Sequence, residues 1–598
     1  MSLITVSLRA RWCRTLAFLC LVWPYCVAAQ ELGNGVLEGR LQVRVGHLHD
    51  SPREPFQFVV TADENQRVAV IFDNAFPVDP IRLDSRRVRL RGDFQGNLLT
   101  RLFDTGLNAP VFQATLVETK PLSEPPPSSV PPPVIAATPS DSGQWSAVIP
   151  LPRVAINASL LPSGQVLFWG MEASVGGSAP DFTFTYLWDP ANDPAAKNVT
   201  KILNDRTFLF CSGHSLRPDG QLLTAGGHVE ENQNGSIHSD FFNPSSNVWT
   251  PGPDMNNGRW YPSTAILNTD GTLVAGGTFF NTDGDPVVNT VPQVFQNGAW
   301  RDLTTASSVD YYFYPWTFQS PNGQVFIAGP SAGTTFLSVS GTGRLSSGPL
   351  SNFGYRSYGS AVMYDATGRI LIMGGPKTSS AEVINLNTAT PTWRYVDSMA
   401  FARMFINATV LPDGKVFVAG GTSSNFNDNS KAVLPAELWD PATGEWTVLA
   451  SLAEPRLYHS TSLLLPDGRV FVAGGGQPAA ENGGSSHFNM EIFSPPYLFR
   501  GTRPTISSVS STLRGGSSHD VMTPSANQIT KVSLVRLGSV THSFDENQRI
   551  YFPSFERLSQ RVRITLTANR GILPLGHYML FIINDVGVPS MAAIVRVT

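Results

Sequence analysis

Between residues 162 and 475 the chain keeps returning to one pattern: a tight turn ending in glycine, a short apolar run, then one or two glycines. The copies are Pro162-Ser-Gly-Gln-Val-Leu-Phe-Trp-Gly170, Pro218-Asp-Gly-Gln-Leu-Leu-Thr-Ala-Gly-Gly227, Asp270-Gly-Thr-Leu-Val-Ala-Gly-Gly277, Pro321-Asn-Gly-Gln-Val-Phe-Ile-Ala-Gly329, Ala366-Thr-Gly-Arg-Ile-Leu-Ile-Met-Gly-Gly375, Pro412-Asp-Gly-Lys-Val-Phe-Val-Ala-Gly-Gly421 and Leu465-Pro-Asp-Gly-Arg-Val-Phe-Val-Ala-Gly-Gly475. The Asp-Gly and Asn-Gly steps supply the positive-φ residues of a hairpin turn. The apolar runs have strand length, and the paired glycines admit close backbone neighbours. Later in several copies a strand ends in tryptophan, at Trp249, Trp300, Trp393 and Trp446.

Seven copies at roughly 50-residue spacing match the period of kelch repeats. With four strands each they predict a seven-bladed β-propeller over residues 144–499, an architecture that leaves only short, protected sheet edges. The pattern differs on either side. Residues 30–120 hold alternating or apolar runs such as Phe56-Gln-Phe-Val-Val60 and Arg67-Val-Ala-Val-Ile-Phe72, which predict a small β-barrel or sandwich. Residues 121–143 are a proline-rich linker, a semi-rigid spacer. Residues 500–598 lose the repeat, and their strands at Val532–Arg536, Val562–Leu566, Tyr578–Ile583 and Ala593–Val597 predict an immunoglobulin-like β-sandwich. The expected class is therefore all-β.

Residues 1–29 read as a secretory signal: Arg9, Arg11 and Arg14, then an apolar segment from Leu16, then Val27-Ala-Ala29 as a small-residue cleavage site. Its removal takes the formal charge from −4 to −7, since three arginines leave with it. A mildly acidic surface argues against nucleic acid as a partner. The expected product is an exported, monomeric protein with no membrane span. Cleavage also removes Cys13, Cys20 and Cys26, which leaves Cys211 as the one cysteine. An exported protein with one cysteine makes no internal disulfide, so Cys211 is either a plain buried thiol or committed to other chemistry. His47 and His49 share a strand face but have no third ligand near them and read as a surface pair. Four sequons begin at Asn157, Asn198, Asn234 and Asn407.

Three chemically unusual stretches precede repeat turns: Phe210-Cys-Ser-Gly-His214, Trp260-Tyr261-Pro262 and Arg456-Leu-Tyr-His459. Equivalent positions of different blades surround one axis, so Cys211, Tyr261, Tyr458 and His459 are expected at one channel mouth. Adjacent residues of a strand face opposite ways, so Tyr458 and His459 need irregular backbone to act together. The C-terminal region adds His542, in Val540-Thr-His-Ser-Phe-Asp-Glu-Asn-Gln-Arg549. Two imidazoles and two phenols form an N/O set suited to Cu(II).

In these motifs, and in Gly587-Val-Pro-Ser590 and Trp316 followed by Val325-Phe-Ile-Ala-Gly-Pro-Ser331, the chain from residue 144 onward resembles the galactose oxidase and glyoxal oxidase family of copper radical oxidases. The resemblance implies Tyr261, His459 and His542 as equatorial copper ligands, Tyr458 as the axial ligand, and Cys211 joined to the Tyr261 ring by a thioether. It implies oxidation of a primary alcohol or aldehyde hydrate, with dioxygen reduced to hydrogen peroxide. Galactose oxidase stacks an indole over its thioether; here that register gives Phe279, with Trp316 as the other ring expected to shield it. Phe405 and Phe426 match pocket phenylalanines, whereas the sugar-gripping arginine is replaced by Asp310, so galactose itself is not the expected substrate. The competing class is a non-catalytic kelch scaffold, which predicts no metal and no special role for Cys211.

Overall fold

In a computed structural model the described residues are 138–598, except 173–180, 230–233, 282–284, 309–312, 425–426 and 477–484, together with the backbone of six strands before them. The chain divides into two compact units, Met1–Pro126 with Leu350–Tyr355, and Pro127–Pro349 with Arg356–Thr598. In the first unit the strands Leu3–Leu8, Val36–Val43, Gln57–Ala62, Gln66–Ile71, Arg87–Phe94 and Val111–Leu116 close into a barrel. Of the two barrel-or-sandwich alternatives, these strands take the barrel, and Leu3–Leu8 within it lies in the segment read as a signal. His47 and His49 lie outside the described residues.

The second unit is all-β and mostly antiparallel. Seven sheets follow one another, most built on four sequential strands, as in Gly213–Leu216, Leu222–Ala225, Ser239–Asn243 and Val248–Pro251 of the second sheet. The first strands of the seven sheets are Asn157–Leu160, Gly213–Leu216, Trp260–Ile266, Thr317–Gln319, Ser360–Asp365, Asn407–Val410 and Ser460–Leu464. The seventh sheet takes its fourth strand, Gln144–Trp145, from before the first sheet, so the two ends of the array are tied by backbone pairing. Ser460–Leu464 also lies against Asn157–Leu160.

Two sequence features hold neighbouring sheets together, and a third ties the strands within a sheet. The glycine pairs take positive φ, and a Cβ on Gly226 or Gly420 would lie 2.1 or 2.3 Å from the carbonyl oxygen of Arg259 or Arg456 in the next sheet. The indole N–H groups of the closing strands reach the preceding sheet: Trp249 to Thr185 Oγ1 (3.1 Å), Trp300 to Pro253 O (3.0 Å) and Trp446 to Asp397 O (2.7 Å). Within a sheet, fully buried arginines just ahead of the first strand reach the second and third strands. Arg356, Arg403 and Arg456 donate to the carbonyls of Gly374, Gly420 and Gly474, and pair with Glu382, Glu437 and Glu491 at 2.7, 2.7 and 3.0 Å. A buried guanidinium is tolerated only when paired and hydrogen-bonded, and losing one partner costs about 3–5 kcal/mol. Arg259 occupies the same place with Asn256 and Gln293 as side-chain acceptors, and burial pulls its pKa down to about 9.

Residues beyond 500 form a five-stranded and a three-stranded sheet, packed through Leu513, Val521, Leu534, Val562, Ile564 and Leu580. From this region a hairpin, Ser539–Thr541 and Phe544–Asp545, leaves its own sheets and pairs with Asn157–Leu160 of the first sheet. The segment that follows grips several other first strands. Gln548 bonds Val410 N and Ala408 O at 2.9 Å each, and Arg549 reaches Gln319 O at 2.9 Å. Ser360 Oγ donates to Ser543 O at 2.6 Å. Backbone groups that no sheet partner takes up are thus satisfied by one inserted segment.

Candidate metal centre

The residues just before or within the first strands share an unusual backbone. Cys211 (φ 62°), Tyr261 (66°), Tyr314 (40°), Tyr358 (49°), Phe405 (62°) and His459 (66°) are all left-handed. Such values are uncommon for residues with a Cβ and strained for bulky ones. A left-handed residue breaks strand alternation, so two neighbouring side chains face one side. Tyr458 and His459 consequently lie ring on ring, with centroids 3.8 Å apart and planes at 26°. Trp260 and Tyr261 do the same at 4.0 Å and 18°. The irregular backbone expected at Tyr458-His459 is this kink. His542 and Ser543 take φ 46° and 70° as the two central residues of the inserted hairpin, the form of a type I′ turn.

These kinks bring the expected residues together. The hydroxyls of Tyr261 and Tyr458 are in hydrogen-bond contact. Cys211 Sγ lies 3.8 Å from His542 Nε2, and Sγ, one nitrogen of His459 and one of His542 fall within 4.8 Å of one another. Tyr261 N–H donates to the Cys211 carbonyl at 3.0 Å, which sets the two residues side by side. The His459 and His542 rings meet edge to face at 4.6 Å.

Both imidazoles are held in one tautomer. His459 Nδ1 donates to the Gly476 carbonyl at 2.9 Å. Thr541 Oγ1 spends its proton on Ile156 O (3.0 Å), so at 2.7 Å it accepts from His542 Nδ1. Each ring therefore carries its lone pair on Nε2, with the orientation that outer partners give to metal-binding histidines. Burial favours the neutral forms of Tyr261, Tyr458, Cys211 and His542. It pushes the Tyr261 and Tyr458 phenols and the Cys211 thiol well above their ordinary values, and lowers His542 well below its own, with the His459 charge adding to the last shift. Neutral nitrogen donors beside two phenols that ionise only against a positive charge fit a copper ion.

The residues around the Tyr261 ring differ from those expected. Trp316 is packed among Phe318, Phe326 and Ala361 in the core between sheets, and Phe279 sits partly exposed in the strand Thr272–Phe280. The indole on Tyr261 is its own neighbour, Trp260. Tyr314 also stacks on Tyr261 (5.0 Å, 28°) and on His542 (4.5 Å, 25°), and Phe313 meets Tyr261 edge-on at 4.9 Å. Phe405 and Tyr358 both touch the Tyr458 ring at 5.3 Å. Asp310 and Phe426 lie outside the described residues. Sequence reasoning missed Trp260, Tyr314, Tyr358 and the arginines. A usable signal was present: each of Arg356, Arg403 and Arg456 stands two or three residues before a left-handed aromatic residue and 26–35 residues before its glutamate. Two sequons are closed, since Asn157 and Asn407 are buried in first strands, while Asn198 is exposed.

Known proteins bear on this arrangement. Residues 373–497 match the family description "Glyoxal oxidase N-terminus" and residues 503–597 "Galactose oxidase-like, Early set domain". A galactose oxidase of Gibberella zeae is 34% identical over 512 residues, covering 76% of this chain and 71% of its own. "Aldehyde oxidase GLOX" of Vitis pseudoreticulata is 30% identical over 445 residues, covering 66% and 82%. Among solved structures, a fungal alcohol oxidase of the AA5 family in complex with copper superposes with a TM-score of 0.69 at 26% identity, over 77% of this chain and all of that one. The chain belongs to the galactose oxidase and glyoxal oxidase family of copper radical oxidases.

Proposed function

We propose that this chain oxidises a primary alcohol or an aldehyde hydrate and reduces dioxygen to hydrogen peroxide. Tyr261, Tyr458, His459 and His542 hold the copper, and Cys211 is bonded to the Tyr261 ring as a thioether. The observation that carries this reading is the convergence of two touching phenols and two imidazoles, with the Cys211 sulfur beside them. Bound copper supplies a Lewis acid and one one-electron acceptor. Alcohol oxidation removes two electrons and two protons, so a second acceptor is required. The oxidisable Tyr261 ring is that acceptor, and a sulfur substituent lowers its potential. Tyr458 takes the substrate hydroxyl proton. Trp260 covers the Tyr261 ring. Dioxygen receives the two electrons and two protons as hydrogen peroxide.

Phe405, Met404 and Leu457 cluster with Tyr458 as an apolar wall. Such a wall favours a small aldehyde hydrate or an aryl alcohol over a polyhydroxylated sugar, whose hydroxyls would lose hydrogen bonds there. The seven sheets are read as the blades of a closed propeller, the region after 500 as an immunoglobulin-like sandwich, and residues 1–29 as an export signal. A peroxide-release screen with copper-loaded protein over aldehydes, aryl alcohols and galactose tests the reading. Peroxide from an aldehyde or aryl alcohol supports it, and no peroxide from any of them sinks it.

One observation favours a second reading. The sulfur of Cys211 and the two histidines also make a His2Cys set, the arrangement of electron-transfer copper sites. That site would keep a thiol, titratable after denaturation, and bind copper through it.

A further inference from the structure

One carboxyl oxygen ties together three of the four elements that carry the site. Glu546 Oε2 accepts the Thr264 N–H at 2.7 Å, the Thr264 hydroxyl at 2.6 Å and the His214 N–H at 3.0 Å. His214 stands three residues after Cys211, and Thr264 three after Tyr261. They occupy matching places in the first strands Gly213–Leu216 and Trp260–Ile266. Glu546 itself directly follows the hairpin whose turn presents His542, and it is only 5% exposed.

The two first strands belong to different sheets and do not pair with each other. Their spacing therefore depends on separate ties. Tyr261 N–H bonds the Cys211 carbonyl at 3.0 Å, and the hydroxyls of Ser215 and Thr264 are in contact. Those two ties join strand to strand. Glu546 joins both strands to the hairpin of His542 as well.

We propose that Glu546 is a positioning residue that sets the distance of the Cys211 sulfur from the Tyr261 ring, and of both from His542, for the reaction that links sulfur to ring. The inference rests on the thioether reading above. In that reaction Cys211 loses its S–H hydrogen and Tyr261 one ring hydrogen. A carbon–sulfur bond forms, and the two electrons and two protons pass to dioxygen, giving hydrogen peroxide. Reactions between held groups are steep in distance, and a 1 Å displacement can cost about 100-fold.

The test follows crosslinking in full-length protein made without copper and then given Cu(II) and air. Mass, lighter by two hydrogens, and free-thiol titration are read against time, with copper content and thermal unfolding measured alongside. Glu546→Gln keeps an acceptor oxygen for the same donors and should crosslink at a rate within about twofold of wild type. Glu546→Asp withdraws that oxygen by one methylene and should slow crosslinking about tenfold or more, with copper still bound. Glu546→Ala should do the same; where it fails to fold, the Asp and Gln variants decide. Crosslinking of Glu546→Asp at the wild-type rate overturns the proposal, and so does Glu546→Gln as slow as Glu546→Asp. A wild-type chain that keeps its thiol overturns the thioether reading instead.

Discussion

The indole of Trp260 lies flat on the phenol ring of Tyr261, the next residue in the chain, with centroids 4.0 Å apart and planes 18° apart. The left-handed backbone at Tyr261 makes this possible, and the same device stacks Tyr458 on His459. One backbone rule thus serves twice, once for a ring that covers and once for a pair that binds.

Replacing Trp260 with Leu should leave copper binding intact and shorten the lifetime of the oxidised, radical form, followed by its optical absorption. Aromatic stacking contributes about 0.5–1.5 kcal/mol, so turnover should fall about 2–10-fold from this contact alone. Phe279→Leu should change neither measurement. Trp316→Phe should lower the melting temperature, because that indole fills a core between sheets.

Cys211→Ser should keep copper, through Tyr261, Tyr458, His459 and His542, yet lose most turnover. Denatured wild-type protein matured with copper and air should show no free thiol. Its Cys211 and Tyr261 peptides should stay joined under reduction, since a thioether does not exchange with thiols. One titratable thiol in that protein would move the assignment to the His2Cys reading.

Thr541 accepts the Nδ1–H of His542 and also reaches the Tyr314 hydroxyl. Thr541→Val keeps the shape and removes the acceptor. Copper affinity, measured by chelator competition, should weaken about 10–100-fold, the usual effect of losing an outer partner of a ligating histidine. Unchanged affinity would show that the turn alone orients the ring.

Burial raises Glu546 from 4.5 to about 8 and Asp545 from 3.8 to about 6. The unfolded chain releases these protons first, so as pH rises the folded state holds more protons than the unfolded state. The stability from this source is complete below about pH 4 and is lost as pH rises toward 8. Buried His214, lowered to about 3, acts oppositely, and its contribution is lost as pH falls below 6.5. Melting temperature should therefore decline between pH 6.5 and 8, and Glu546→Gln should flatten that decline. An equal decline in the variant would mean that another group controls it.

Much of the second unit was legible because its information is local. A turn of the Asp-Gly type, an apolar strand and a glycine pair specify a hairpin from backbone sterics alone, and seven copies announce seven similar sheets. Cys211, Tyr261, Tyr458 and His459 were found because they interrupt that pattern at matching places, and His542 because its polar turn resembles a known one. What the sequence could not show depends on contacts between segments far apart in the chain. Trp260 was passed over for Phe279 and Trp316 because strand alternation sends neighbouring side chains apart. Only the folded backbone, with φ 66° at Tyr261, turns the two rings to one side. The role of Glu546 was hidden for the same kind of reason. Its partners at Thr264 and His214 lie 282 and 332 residues away, and only the inserted hairpin brings its carboxyl to them.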